Sequence, residues 1–469
     1  MLAWKRAHHD VWRVATPVRF EKEDSYFFAE LRSHAGFHAM LSTNTPMKSA
    51  TFLYRPLDRC LLCEKDRMVN VVPLQPIPIA TPNFAMPSDP ELAAQALKGV
   101  PLDIFQCADC GHLQVGQIGN PDLQYRDYVY TTSLSLGLPE HFKTYAAQVI
   151  EKYNPPAGSI VVEIGSNDGT LLRAFKERGY RVLGVDPARA IAAAATKAGI
   201  ETIGDFFSES TARDIARTVG KAQLIIANNM IANVPDMQDY LRGIGQLLAD
   251  DGVFIFETQY GADVIERNLL DTVYHEHISY FLVKPTVEFL ARHGLQTMGI
   301  DRIATKGGSI RVSSQRIGES RPVSPGVAAL IDDEMQKGAF ASAYYGKLSG
   351  DLREIKAKID KEVHSVLASG KTVGGYGVSV GTTALLPQFG LVDRLSFLVD
   401  DDPEKSRVLE GPGYSIPVIG PQELHSQNAG AVVIFAWRYA DSILAKHDRF
   451  LAEGGEFIIP LPSVRIVRS

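Results

Sequence analysis

Between residues 159 and 186 the chain reads SIVVEIGSNDGTLLRAFKERGYRVLGVD, and few folds accommodate that stretch. Its opening run is short, β-branched and apolar on both faces, as a strand inside a parallel sheet must be. A loop carrying Gly165 and Gly169 leads into a helix-period segment, and a second apolar run ends on Asp186, 21 positions after Gly165. Strand, glycine turn, helix and acid-terminated strand are the layout of a nucleoside-binding Rossmann unit. The glycines let backbone N–H groups approach a ligand, and a carboxylate at Asp186 can grip a ribose diol. Gly165-x-x-x-Gly169 lacks one glycine of the set that cradles a pyrophosphate, which favours a nucleoside cofactor without phosphates. S-adenosylmethionine is the obvious one; a purely structural βαβ unit is the alternative.

The same sheet continues downstream. AQLIIANN (222–229) and GVFIFETQ (252–259) read as further buried strands, with a helix near 237–249 between them. TVEFLARHG reads as a helix, and two late strands flank Gly307-Gly308. Residues 316 to about 365 alternate apolar and charged positions at helical spacing, and Gly370 closes them. A second α/β unit spans 371–469, with Gly374, Gly375, Gly377 and Gly381 between a strand and a helix, and acids at 400–402 after the next strand. By shape alone that unit could bind NAD, or be a structural lobe. Its Lys405 and Arg438 are candidate phosphate partners.

All four cysteines lie in two Cys-x-x-Cys pairs, Cys60/Cys63 and Cys107/Cys110, separated by 43 residues. Two such knuckles surround one ion tetrahedrally, and four soft ligands with no spare position predict structural Zn²⁺. A redox dithiol would need only one pair. Gly111 suits a backbone that turns its N–H groups toward the sulfurs. With 48 basic against 54 acidic residues, the chain lacks the electrostatic footprint of a nucleic-acid or anionic-membrane binder. No apolar run approaches the roughly 18 residues that would suggest a bilayer span. MLAWKRAHHDVWRV at the start has no apolar core behind its basic residues, so the expected location is the cytoplasm.

After the fifth strand comes DTVYHEHISYF, with Tyr274, His275, Glu276 and His277 in succession. Imidazole exchanges protons near neutrality, so this run can carry acid–base chemistry. An extended run would put His275 and His277 on one face and Tyr274 and Glu276 on the other. An isolated His-x-His is equally a solvated edge or a metal pair. Here the thiolates already complete a metal set, and the run falls at the carboxyl edge of the sheet, where α/β sites form.

The two Cys-x-x-Cys pairs, VEIGSNDGTLL, DTVYHEHISYF, KGGSIRV, GGYGVSVGTTALL and VDDDPEKSRVLEGPGYSIPVI occur in that order over roughly residues 56–469. In these motifs the chain resembles the S-adenosylmethionine-dependent sugar C-methyltransferases that act on nucleotide-linked deoxy keto-sugars. The resemblance implies an α/β protein with a class I (Rossmann-like) methyltransferase core, a small N-terminal zinc-binding domain and a C-terminal Rossmann-like domain holding the substrate's nucleotide. The expected limits are an irregular arm over 1–55, the zinc domain over 56–123, the core over 124–315, and the helical bridge with the last lobe over 316–469. Glu163, Gly165, Asn167, Gly169, Asp186 and Asn228 are the candidate cofactor contacts.

The resemblance also assigns chemistry. A ketone beside the target carbon makes that carbon acidic, and a base must remove its proton. His277 takes the base role, and Glu276 binds sugar hydroxyls or positions its neighbours. Tyr274 and Tyr128 donate to the developing oxyanion, and Asn233 holds the substrate. Asn233 stands where the family pattern has histidine, and an amide cannot shuttle protons near neutrality. The expected partner is a nucleotide-diphosphate keto-deoxysugar, with no nucleic acid or membrane, and the chain a monomer or small homo-oligomer. O- or N-methylation of another small molecule, or a non-catalytic cofactor-binding paralogue, are the alternatives.

Overall fold

The computed structural model describes residues 52–82, 84, 86–134, 137–403, 405 and 407–469. The arm expected over 1–55 therefore lies, up to residue 51, outside the described residues. Strands β1 (Tyr54–Pro56), β2 (Met68–Val72), β3 (Ile104–Cys107), β4 (Leu113–Val115) and β5 (Gln117–Gly119) build the cysteine-bearing lobe. Cys60 and Cys63 sit in the loop before β2. Cys107 ends β3, and Cys110 lies in the turn to β4.

The central sheet contains β6 (Ile160–Ile164), β7 (Arg181–Val185), β8 (Thr202–Ile203), β9 (Ala222–Asn228) and β10 (Leu248–Gln259). After β11 (Ser279–Tyr280), its last members are β12 (Leu295–Ile303) and β13 (Ser309–Arg316). The order is β12-β13-β10-β9-β6-β7-β8, with β13 antiparallel to both of its neighbours and every other pair parallel. Every residue of β6 is buried, which fits its apolar run. Each fully buried Val or Ile there contributes about 1.5–3 kcal/mol over leaving it in water. The order of strands reverses between β6 and β9, and such a switch point opens a crevice at the carboxyl ends. The two-residue β8 carries too little apolar pattern to be read from sequence.

Strand β11 does not join this sheet. It pairs antiparallel with β4, extending the cysteine lobe to β11-β4-β3-β2. Ile278 N–H donates to the Ala232 carbonyl (2.8 Å), and Val115 N–H donates to the Ile278 carbonyl (3.1 Å). One residue thus joins the cysteine lobe to the core.

Helices Pro325–Gln336 and Ser342–Ala368 bridge to the last sheet. Its strands are β14 (Thr372–Tyr376), β15 (Phe397–Val399), β16 (Val408–Gly411), β17 (Tyr414–Ile419), β18 (Ala429–Ile434), β19 (Glu456–Ile459) and β20 (Arg465–Val467). They run in the order β16-β17-β15-β14-β18-β19-β20. The β16–β17 hairpin is closed by Pro412-Gly413, and β20 pairs antiparallel with β19 at the other edge.

The glycine turn after β14 serves the fold. Asp400, at the end of β15, accepts from Val378 N–H, from Asp402 N–H (3.0 Å) and from the Lys405 ammonium (3.1 Å). Gly381 packs on the core turn Leu270–Thr272; a Cβ there would lie 2.9 Å from the Asp271 carbonyl oxygen. Arg438 pairs with the Asp271 carboxylate. Lys405 and Arg438, expected on phosphate, are instead engaged by carboxylates of the protein. A turn that meets another part of the chain cannot be told from an open one by its glycines.

Candidate functional site

A cavity of about 530 Å³ opens at the carboxyl edge of β6, β7 and β9. Of the cofactor candidates, Glu163, Gly165, Asn167, Asp186 and Asn228 line it. Gly169 does not. It takes a left-handed φ of 73° before the helix Thr170–Lys176, and a Cβ there would stand 2.7 Å from Ile200. Its small size serves helix–sheet packing.

Gly165 also has φ 73°, and a Cβ would meet the Met230 side chain at 2.8 Å. Asn167 is left-handed (φ 50°), and its amide closes the turn over the tyrosine segment. Its Oδ1 accepts from Thr132 N–H (2.8 Å), and its Nδ2 donates to the Tyr130 carbonyl (2.9 Å). Asp186 accepts from Asn167 N–H (2.8 Å) and Ala188 N–H (2.9 Å). Four buried polar atoms on this side have no protein partner: Glu163 Oε2, Ser166 Oγ, Asn228 Nδ2 and Asn229 Oδ1. A buried polar atom left unpaired is costly, so this wall is built to be completed by a ligand. Burial first, then Asp186 and Asp168, lift the Glu163 carboxyl well above the ordinary carboxylate range. A polar ligand with hydroxyl and amino groups fits that donor set.

The opposite wall is the run that begins at Tyr274. It is a turn, not a strand: His277 N–H donates to the Tyr274 carbonyl at 2.9 Å. The alternating pattern is therefore corrected. Tyr274, Glu276 and His277 all line the cavity, while His275 points away and its Nε2 donates to the Pro101 carbonyl (3.1 Å). Tyr274 and His277, three apart, stack with ring centroids 4.1 Å apart. His277 Nδ1 lies 2.8 Å from the Thr272 carbonyl, which can only accept. The neutral ring therefore carries its proton on Nδ1 and its lone pair on Nε2, where the Tyr274 hydroxyl donates at 3.0 Å.

Glu276 is 8% exposed and accepts from Thr81 Oγ1 (3.3 Å) and the Tyr128 hydroxyl (3.3 Å). Tyr125 also faces the cavity. Its hydroxyl donates to the Glu276 carbonyl at 3.4 Å and meets the Asn233 amide. Asn233 lines the cavity with Oδ1 unpartnered. Lys306 lines it too. Only its place before two glycines hinted at this.

Burial, aided by the Lys306 charge, pushes His277 down to about 3, and burial pushes His275 down to about 4. Burial pushes Glu276 up to about 7. The consequences for stability have opposite signs. The unfolded histidines take up protons near pH 6.5 that the folded ones refuse, so their contribution is lost as pH falls. The raised Glu276 contributes below its unfolded value, and that contribution is lost as pH rises through 7. Two histidines outweigh one glutamate, so the thermal midpoint should fall from pH 7 to pH 5. Glu276→Gln should melt above the wild type at pH 8 and gain nothing at pH 5. Differential scanning fluorimetry at fixed ionic strength checks both.

The four thiols form a separate cluster. Cys60 and Cys110 Sγ are 3.5 Å apart, as are Cys63 and Cys107, and all four lie within 4.8 Å of one another. Gly111 turns with φ 84°, its N–H on the Cys107 carbonyl. Among the described residues no helix is long and apolar enough to cross a membrane.

A methyltransferase domain model matches residues 139–298, and a C-methyltransferase C-terminal domain model matches residues 304–462. C-methyltransferase NovU from Streptomyces niveus is 31% identical over 417 residues, 88% of this chain and 98% of that protein. Ubiquinone biosynthesis O-methyltransferase from Escherichia coli O9:H4 (strain HS) is 27% identical over 137 residues, 28% of this chain and 54% of that protein. Among solved structures, magnesium protoporphyrin IX methyltransferase (ChlM) from Synechocystis PCC 6803 with bound SAM covers 39% of this chain and 80% of its own. It matches at 15% identity and a TM-score of 0.29.

Proposed function

Since the chain belongs to the S-adenosylmethionine-dependent C-methyltransferase family, we propose that it methylates a carbon next to a ketone in a nucleotide-linked deoxy sugar. The observation that carries this reading is one cavity with two unlike walls. The Glu163–Asp186–Asn228 side suits a nucleoside, and the Tyr274–His277 side offers proton-handling groups to a carbon acid. Asp186 would hold the ribose diol, Glu163 would meet an amino group of the methyl donor, and Asn228 Nδ2 would donate to one of its acceptor atoms. When bound, the donor supplies an electrophilic methyl group and a thioether leaving group.

The protein's own part is enolisation. With Nδ1 fixed on Thr272, His277 presents Nε2 as the base, and Tyr274 stands in contact with it. Tyr274 passes the α-proton inward: its oxygen accepts the substrate proton as its own proton moves to Nε2. Tyr128 and Glu276 hold the sugar ring, and Asn233 Oδ1 accepts from a sugar hydroxyl. Holding the carbon in line with the methyl group supplies much of the remaining acceleration.

A second assignment rests on one observation, that Glu276 titrates near neutrality while His277 does not. In it Glu276 takes the proton directly. The cysteine cluster, in this reading, holds structural Zn²⁺. Bonds of about 2.3 Å in a tetrahedron put sulfurs roughly 3.8 Å apart, which the observed spacings bracket.

Ketosugars linked to thymidine, uridine, cytidine or guanosine diphosphate, together with the free sugars, test the substrate class by mass gain of one methyl group. Gain on one nucleotide sugar and on no free sugar supports the proposal. Transfer to oxygen or nitrogen, without solvent deuterium entering the α-carbon, overturns it.

A further inference from the structure

We propose that Lys306 is a catalytic residue whose ammonium pairs with the enolate oxygen, an inference that rests on the C-methylation reading above. Among the described residues it is the single lysine or arginine on the cavity wall, which otherwise carries the acids Asp122, Glu163, Asp186, Asp236, Asp239 and Glu276. A cation set among carboxylates, close enough to Glu276 and His277 to bias both, stands at the end where proton removal occurs.

The backbone says the same independently. Lys306 has φ 53° and ψ 22°, a left-handed conformation that a side chain bearing Cβ seldom takes. Two glycines follow it, so the same turn could have been made by glycine at 306 without strain. Strain of this kind persists where the surroundings impose it, and they do so here from two sides. Arg438 donates to the Lys306 carbonyl (3.0 Å), and Arg267 donates to the Gly307 carbonyl (2.9 Å). Arg438 also holds Asp271, at the head of the segment that fixes His277. One arginine of the last lobe therefore sets the distance between the proposed base and the cation.

The step balances. The α-C–H bond breaks, with its proton going to the base and its electron pair into the enolate, whose oxygen charge faces Lys306. The pair then forms the new bond to the methyl carbon as the carbon–sulfur bond breaks. The sulfur keeps that pair, the ketone is restored, and Lys306 returns to its unpaired state. A fixed cation aimed at charge that develops only during reaction lowers the barrier without tightening substrate binding.

The test uses the full chain in deuterated buffer. Lys306→Met should lower kcat and α-deuterium incorporation together by about 10²–10³-fold, the range seen for losing one oxyanion donor. The dissociation constant for S-adenosylmethionine should not change. Lys306→Gly should give the same loss while melting no lower than the wild type, because glycine relieves the left-handed turn. Exchange at the wild-type rate in either variant, with only KM for the sugar raised, would make Lys306 a substrate anchor and overturn the inference. A wild-type enzyme whose product carries the new methyl group on oxygen or nitrogen would instead defeat the C-methylation reading beneath it.

Discussion

His277→Asn should abolish α-proton exchange and methyl transfer while leaving binding of the methyl donor intact. The amide can still meet the Thr272 carbonyl, so the turn keeps its anchor. What disappears is the lone pair on Nε2, the acceptor at the end of the Tyr274 relay. General-base catalysis contributes about 10²–10⁴-fold, and the loss should fall in that range on kcat. The cofactor wall lies across the cavity, on β6, β7 and β9, so calorimetric titration of S-adenosylmethionine should give the wild-type constant. Tyr274→Phe should lose nearly as much, because it interrupts the same path. The pattern that reverses the assignment is specific. If Glu276→Gln loses exchange by that factor and His277→Asn keeps it, the carboxylate at about 7 is the base.

The second large effect concerns the metal. Cys107→Ser, or stripping the protein with a strong chelator, should unfold the cysteine lobe outright. Structural Zn²⁺ in small domains supplies about 10–16 kcal/mol of folding free energy, more than most domains have to spare. One zinc per chain by elemental analysis, and a melting transition that chelator shifts or splits, are the expected results. The active site should fail with the lobe, because β11 pairs with β4 and begins two residues after His277. Loss of zinc with unchanged activity would show that the cysteine lobe does not hold the turn in place.

What could be read from the chain, and what could not, divides by distance along it. The cofactor half was legible because its geometry is local. Apolar runs make β6 and β7, glycine permits the left-handed turn at 165, and an acid ends the second strand. The Tyr274–His277 half was legible as chemistry and not as shape. Its residues were identified, but their alternation was wrong, because the Thr272 carbonyl, Pro101 and β4 bend the run into a turn. Gly169 was read as a ligand contact from spacing alone, when Ile200, 31 residues on, decides its role. The last lobe likewise depends on contacts far away in the sequence. Its glycine turn, its Asp400 and its two cations have the composition of a phosphate site, and the core turn at 270–272 occupies the glycine.

That docking has a consequence for how the enzyme is made. The segment from Asp271 to Tyr280 is held by β4 on one side, by Ala232 on another, and by Gly381 and Arg438 from the far end of the sequence. On the ribosome the cysteine lobe emerges before the methyltransferase core, and domains generally fold in that order. In the reading proposed above, a nascent chain that has reached residue 320 carries the proposed donor wall and lacks the arginine that sets the proton-handling turn. The turn gains that arginine only once residue 438 has been made. A truncated product would occupy the donor without consuming it.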